Sequence, residues 1–160
     1  MDKIRIPATV LRQKDKELYL FKMRASLLSK ITFVTPRSEE NPDELQRVFS
    51  ESRAKEIGAW IKEENSLLPN AIVIDFKKDV EIAPTADKDN VVISFPNPDQ
   101  VDNPKIAYIL DGQHRVKGFD FADGIEFDLA VIAVHNVSDN VRGKIFLDIN
   151  SKQVKVDERL

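Results

Sequence analysis

Tyr108-Ile109-Leu110-Asp111-Gly112-Gln113-His114-Arg115 is the stretch on which the reading of this chain turns. Ile106 to Leu110 is almost wholly apolar, as expected of a strand covered on both faces. A polar cluster follows at once, and Val116, Phe119 and Phe121 then suit a short helix. Three properties converge at this strand–helix junction. Gly112 permits positive φ and close approach of a ligand to the backbone. The helix start offers free N–H groups and a positive dipole end. Arg115 supplies a fork of donors matched to phosphate or carboxylate. Asp111 can hold a divalent ion, orient a water, or pair with Arg115. The chemistry points to a phosphate-like ligand. A purely structural role weighs equally on general grounds: Asp111 caps the helix, Gln113 and His114 satisfy loop backbone, and Arg115 bridges to an acidic neighbour.

Working outward, Leu129 to Val134 has the same core-strand character, and Ser138 caps a helix whose inner face is Val141, Ile145 and Ile149. Upstream, Ala71 to Phe76 and Val91 to Phe95 are rich in β-branched residues and read as strands. Pro84 and Asp87 to Asn90 lie in the polar segment between them. Ala54, Ile57, Trp60 and Ile61 make one apolar stripe, predicting a helix from Ser52 to Asn65 with Trp60 in the core. Asn41-Pro42-Asp43-Glu44 is a helix-start signal. Leu27 to Val34 is apolar but too short to assign. At the N-terminus Ile4, Ile6, Ala8 and Val10 alternate, and Leu18 to Met23 follows a polar turn, so the two runs predict a β-hairpin. This order of elements predicts an α+β fold, a sheet with helices. The ending, Lys155 to Leu160, carries no stop signal and reads as an interrupted element.

Composition narrows the chemistry. The chain has 160 residues and no Cys, which removes disulfides, thiolate zinc sites and cysteine nucleophiles. Two His, at 114 and 135, leave little for a histidine-built metal centre. His135 reads as a loop or surface residue. The acidic loop Asp120, Asp123, Glu126 and Asp128 fails the spacing of a calcium loop and reads as a solvated turn. No apolar run is long enough for a membrane span and the start has no signal-peptide core, so the expected location is the cytoplasm, without a membrane partner. Net charge is −3, but residues 1–37 carry nine basic and three acidic side chains. That balance disfavours coating DNA by bulk charge and leaves a local anionic contact at the N-terminal part open.

The pentapeptide Asp111-Gly112-Gln113-His114-Arg115 resembles the defining motif of the DGQHR-domain family, whose best-known members are B-type proteins encoded beside DNA phosphorothioation systems. Further stretches resemble, in the same order, the ParB/sulfiredoxin-like fold. Gln46-Arg47 resembles the first ParB box, and Ile57 to Ile61 with Leu68 to Val73 the helix and strand after it. The pentapeptide sits where ParB proteins have Gly-Glu-Arg-Arg and sulfiredoxins Gly-Cys-His-Arg. Phe146-Leu147-Asp148-Ile149-Asn150-Ser151-Lys152 resembles the closing Asn motif. The resemblance, which runs from about residue 41 to 155, implies a mixed sheet flanked by helices. With the interrupted ending and the N-terminal alternation, the expected organisation is this domain over residues 41–160, truncated at its C-terminus, and residues 1–40 as a β-rich extension packed on the same domain.

It also implies a nucleotide-binding protein of a DNA modification or defence system, with a nucleoside triphosphate and Mg²⁺ as ligands and weak NTP hydrolysis as a further expectation. Carried over by position, Gly112, Gln113, His114, Arg115, Arg47 and Asn150 contact the nucleotide or its phosphates. Asp111 and Asn150 sit near the metal, and Asp111 or His114 positions water. Gln113 stands where sulfiredoxins have Cys, which excludes thiol repair chemistry. Gln113-His114 replaces the Glu-Arg pair of ParB, which leaves the choice of nucleotide open. The alternative is a non-catalytic transcriptional regulator or adaptor that binds DNA, through residues such as Arg12, Lys14 and Lys22, or partner proteins. Arg115→Ala is expected to remove nucleotide affinity and to spare the fold.

Overall fold

A computed structural model of the chain describes residues 1–33 and 49–151. The expected hairpin is there, as β1 (Lys3–Gln13) and β2 (Lys16–Arg24) in antiparallel register with Val10 opposite Tyr19. Lys14 turns it with φ 56°. The apolar stretch that defied assignment splits into α1 (Ala25–Ile31) and a two-residue strand β3 (Thr32–Phe33). The helix α2 is shorter than its stripe suggested, at Glu51–Ile61, with the Ser50 hydroxyl accepting from the Arg53 N–H at its start.

Then come β4 (Ile72–Phe76), β5 (Glu81–Pro84), β6 (Asn90–Pro96), β7 (Ala107–Asp111), α3 (Gln113–Gly118), β8 (Asp128–His135) and α4 (Asp139–Ser151). The strand β5 lies in the segment read as polar connection. Its polar and proline content is that of an edge, and among the described residues it pairs only with β6.

The fold is α+β, as expected: the described residues form one eight-stranded mixed sheet in the order β3-β7-β4-β8-β2-β1-β6-β5. The hairpin lies inside it, with β2 antiparallel to β8 and β1 antiparallel to β6. At the other end β4 runs parallel to β8 and antiparallel to β7. Alternation sends Ile72, Ile74 and Phe76 to one face, where they join Phe21, Phe95, Val131 and the inner residues of α1, α2 and α3 in the core. Phe76 stacks between Phe21 and Phe95, with ring centroids at 6.0 and 6.4 Å.

Two glycines let α2 cross α3 at backbone distance. A Cβ on Gly58 would stand 2.7 Å from the Gly118 carbonyl oxygen, and one on Gly118 would stand 2.6 Å from Ile57 Cγ2. Lys117 of α3 donates to the Ser29 carbonyl at 3.2 Å and to its hydroxyl at 3.1 Å, tying α3 to α1. Burial, with help from nearby Lys105, pushes the Lys117 amine below its ordinary range. Trp60 corrects the helix stripe. It is 38% exposed, because the tight α2–α3 crossing turns Ala54, Gly58 and Ile61 inward and leaves position 60 at the margin.

Candidate functional site

The pentapeptide forms a corner at the end of β7. Gly112 adopts φ 99° and ψ 16°, which only glycine takes at low cost, and α3 begins on the next residue. A Cβ at this position would stand 2.5 Å from Ile72 Cδ1 and 3.0 Å from Arg115 Nη2. The close approach that glycine permits here is therefore made by the protein's own side chains.

Arg115 closes the corner. Its Nη1 donates to the Asn70 carbonyl at 2.7 Å, and its Nη2 to the Ala71 carbonyl at 3.4 Å and to Asp111 Oδ2 at 3.1 Å. The pair is half-buried, with Arg115 19% and Asp111 28% exposed. These three bonds clamp the end of β7 to the residues leading into β4. They revise the expectation that Arg115→Ala spares the fold. Losing three charge-assisted bonds in a half-buried setting costs about 2 kcal/mol, and chemical denaturation of that variant checks the figure.

His114 points elsewhere. It is buried, its ring stacks on Phe49 with centroids 5.4 Å apart and planes 5° from parallel, and its Nε2 accepts the Ser50 N–H at 2.9 Å. An accepting Nε2 is unprotonated in this arrangement. The histidine thus links the corner to the start of α2. Gln113 is half-buried at the first position of α3. Asn150 lies near the end of α4, where its Nδ2 donates to the Phe146 carbonyl at 2.7 Å. Arg47 and the Asn41-Pro42 helix-start signal fall outside the described residues. Gly112, Gln113, His114 and Arg115 are contiguous with Asp111, and Asp111 and Arg115 meet directly.

Among the described residues no group of three or more His, Cys, Asp or Glu is arranged to hold a metal ion. The acidic loop after α3 is spent on separate partners. Asp123 pairs with Lys62, Asp128 with Lys22, and Glu126 accepts the Ser26 N–H. Of the basic N-terminal residues, Arg12 pairs with Asp89 and Glu17 and Lys22 with Asp128. No helix among the described residues is long and apolar enough to cross a membrane.

Sequence reasoning missed a second cluster. Asp75 alternates with Ile74 and Phe76, so it points to the sheet face away from the core, opposite Tyr108 of β7. It is 1% exposed, and Arg142 of α4 donates to it through Nε at 2.9 Å. The same guanidinium lies 4.1 Å from the Tyr108 ring centroid and pairs with Asp139 through Nη1. Burial pushes the Asp75 carboxyl above its ordinary range, against the opposing pull of the Arg142 bond and charge. The sequence signal was a lone carboxylate in a β-branched run, Ile72-Val73-Ile74-Asp75-Phe76. Its partner lies 67 residues away. His135, at the end of β8, is half-buried with its Nε2 enclosed and without a hydrogen-bond partner among the described residues.

Comparison with known proteins places this geometry in context. A similar solved structure is the C-terminally truncated chromosome-partitioning protein ParB from Caulobacter crescentus complexed with CTP-γ-S, at 14% identity and a TM-score of 0.46. The match covers 86% of this chain and 55% of that one, so this chain spans just over half its length. No curated protein matches. The family model described as DndB, DNA-sulfur modification-associated, matches residues 6–160. That span takes in the hairpin, the pentapeptide corner and α4 alike, and the chain belongs to this family of DNA-sulfur modification-associated proteins.

Proposed function

We propose that this protein binds a nucleoside triphosphate at the Asp111–Arg115 corner as part of its role in DNA sulfur modification. The observation that carries the reading is a half-buried guanidinium, held in one orientation by Asp111 and two backbone carbonyls at the end of an apolar strand. Arg115 has five N–H donors, and these bonds use three. The remaining two, with the exposed part of Gln113, suit oxygen acceptors arriving as a phosphate chain. Preorganisation of this kind lowers the ordering cost of binding.

Mg²⁺ belongs to the same reading in a limited way. Asp111 contributes one carboxylate, already shared with Arg115, so the donor set fits an ion brought in on the phosphates with its waters and not a dedicated cage. Asn150 and Arg47 complete the proposed contacts. For hydrolysis the candidate groups remain Asp111 and His114. With the His114 Nε2 engaged by Ser50, Asp111 is the better placed to orient a water.

The test is thermal unfolding with ATP, CTP, GTP and UTP, each with and without Mg²⁺. A ligand at 100 times its Kd adds about 2.7 kcal/mol. The expected result is a raised midpoint for one nucleotide. It should vanish in Arg115→Ala even after that variant's own lower baseline is subtracted. No shift with any nucleotide, or a shift that persists undiminished in the variant, would reject the site.

A further inference from the structure

We propose a second anion site, for a phosphate group, in the cleft where Arg142 lies on Tyr108, separate from the Asp111–Arg115 corner. The cleft has a volume of about 400 Å³ and is lined by Lys77, Lys78, Tyr108, Asn136 and Arg142 together with the carboxylates Asp75 and Asp79. Tyr108 and Asp111 lie three residues apart along β7, about 10 Å in an extended strand, so one phosphate cannot occupy both places.

The charge arrangement selects the ligand. Asp75 is buried and spoken for by Arg142, so it acts as a positioning residue that holds the guanidinium against the Tyr108 ring. With Nε on Asp75 and Nη1 on Asp139, Nη2 of Arg142 has no hydrogen-bond partner among the described residues. The Lys77 ammonium sits 4.3 Å from the Phe33 ring centroid and 5.9 Å from that of Tyr108, held by aromatic faces and not by a carboxylate. Among the described residues neither Lys77 nor Lys78 makes an ion pair. Three cations line the cleft against two carboxylates, Asp75, which Arg142 already binds, and Asp79. A phosphate, with several oxygens to share among a guanidinium edge and two ammonium groups, matches that set better than a single carboxylate does. Asn136, at φ 53° and fixed by its N–H to the Phe76 carbonyl at 2.7 Å, also lines the cleft.

The phosphate group has two sources, a nucleic-acid backbone or a free phosphate compound. The experiment is a titration of the 160-residue chain followed by amide signals in ¹⁵N–¹H spectra. Its probes are inorganic phosphate, a deoxynucleoside 5′-monophosphate and a ten-nucleotide single strand. Saturable movement of the Lys77, Lys78, Asp79 and Asn136 signals is expected, with affinity about tenfold lower in Lys78→Glu, an exposed position where charge reversal acts through Coulomb attraction alone. Lys77→Gln, checked for an unchanged spectrum elsewhere, should weaken it similarly. A strand that binds far more tightly than phosphate, with affinity falling as salt rises, identifies a nucleic-acid backbone. Equal affinities identify a free phosphate compound. Signals that stay still with all three probes, or move only at residues 111–115, overturn the proposal. So does an affinity unchanged in both lysine variants. Because Arg115 takes no part in this cleft, failure here leaves the nucleotide reading intact, and the reverse holds too.

Discussion

Arg142→Ala is expected to lower folding stability by about 3–5 kcal/mol at neutral pH, the largest effect of any single substitution considered for this protein. The reason is what the substitution leaves behind. Asp75 is 1% exposed, and without the guanidinium its carboxylate stays buried with, among the described residues, only the distant Val137 N–H, at 3.5 Å, to accept from. The pH dependence follows from the direction of its shift. Burial already holds the Asp75 carboxyl above its ordinary value of 3.8, and Arg142 is the chief opposing influence. A carboxyl with a raised folded-state value contributes stability when protonated, in full below its unfolded value, and loses that contribution as pH rises through the folded value. Removing Arg142 raises the folded value further. The deficit of the variant should therefore be widest at pH 7 and should narrow as the buffer is taken down toward about pH 4. Urea denaturation across that range, beside the double variant Asp75→Asn/Arg142→Ala, checks both parts. The double variant should recover much of the loss at pH 7, since no charge is left stranded. A single-variant deficit that stays flat with pH would show that packing of Arg142 on Tyr108, and not the charge, carries the effect.

Gly112→Ala is the second large effect, about 3 kcal/mol in sum. The backbone there has φ 99°, and a side chain in a left-handed conformation costs about 1–2 kcal/mol. The added methyl also meets Ile72 Cδ1 at 2.5 Å and Arg115 Nη2 at 3.0 Å. Ile72 is packed in the core and cannot retreat freely, so overpacking adds a further increment of about 1–3 kcal/mol. In a chain of this length that sum lowers the thermal midpoint by about 10 °C. The same contact pushes on the Arg115 clamp, so the nucleotide affinity proposed for this corner should fall with stability. Scanning calorimetry with and without nucleotide separates the two losses.

The pentapeptide corner was legible because every cue in it is local. An apolar strand, a glycine and a polar run with Arg115 lie within eight residues, and the structure turns there with Gly112 at positive φ. Strand positions read well for the same reason, since alternation and β-branching act over a few residues. What failed to show was pairing at long range. Nothing in Asp75 or Arg142 alone announces a partner 67 residues away. Whether Arg115 faces a ligand or the Asn70 and Ala71 carbonyls depends on how β4 begins beside β7, and that is set by tertiary packing. Trp60 misled because its periodicity fitted the helix stripe, while the tight approach at Gly58 and Gly118 decided which side of α2 faces inward. The edge strand β5 was hidden by its own proline and charges, which mark an edge as readily as a loop.

The placement of the hairpin has a consequence for how the chain is made. The hairpin is synthesised before the strands that flank it, since β6 and β8 end only at Pro96 and His135. Until those arrive, the hairpin presents two unpaired sheet edges, and the central seams of the sheet can close only after β6 and β8 have emerged. Contacts so far apart in sequence make for slow assembly and a long exposure of sticky edges during synthesis. The nascent protein thus depends on holding this hairpin soluble while it waits for its neighbours.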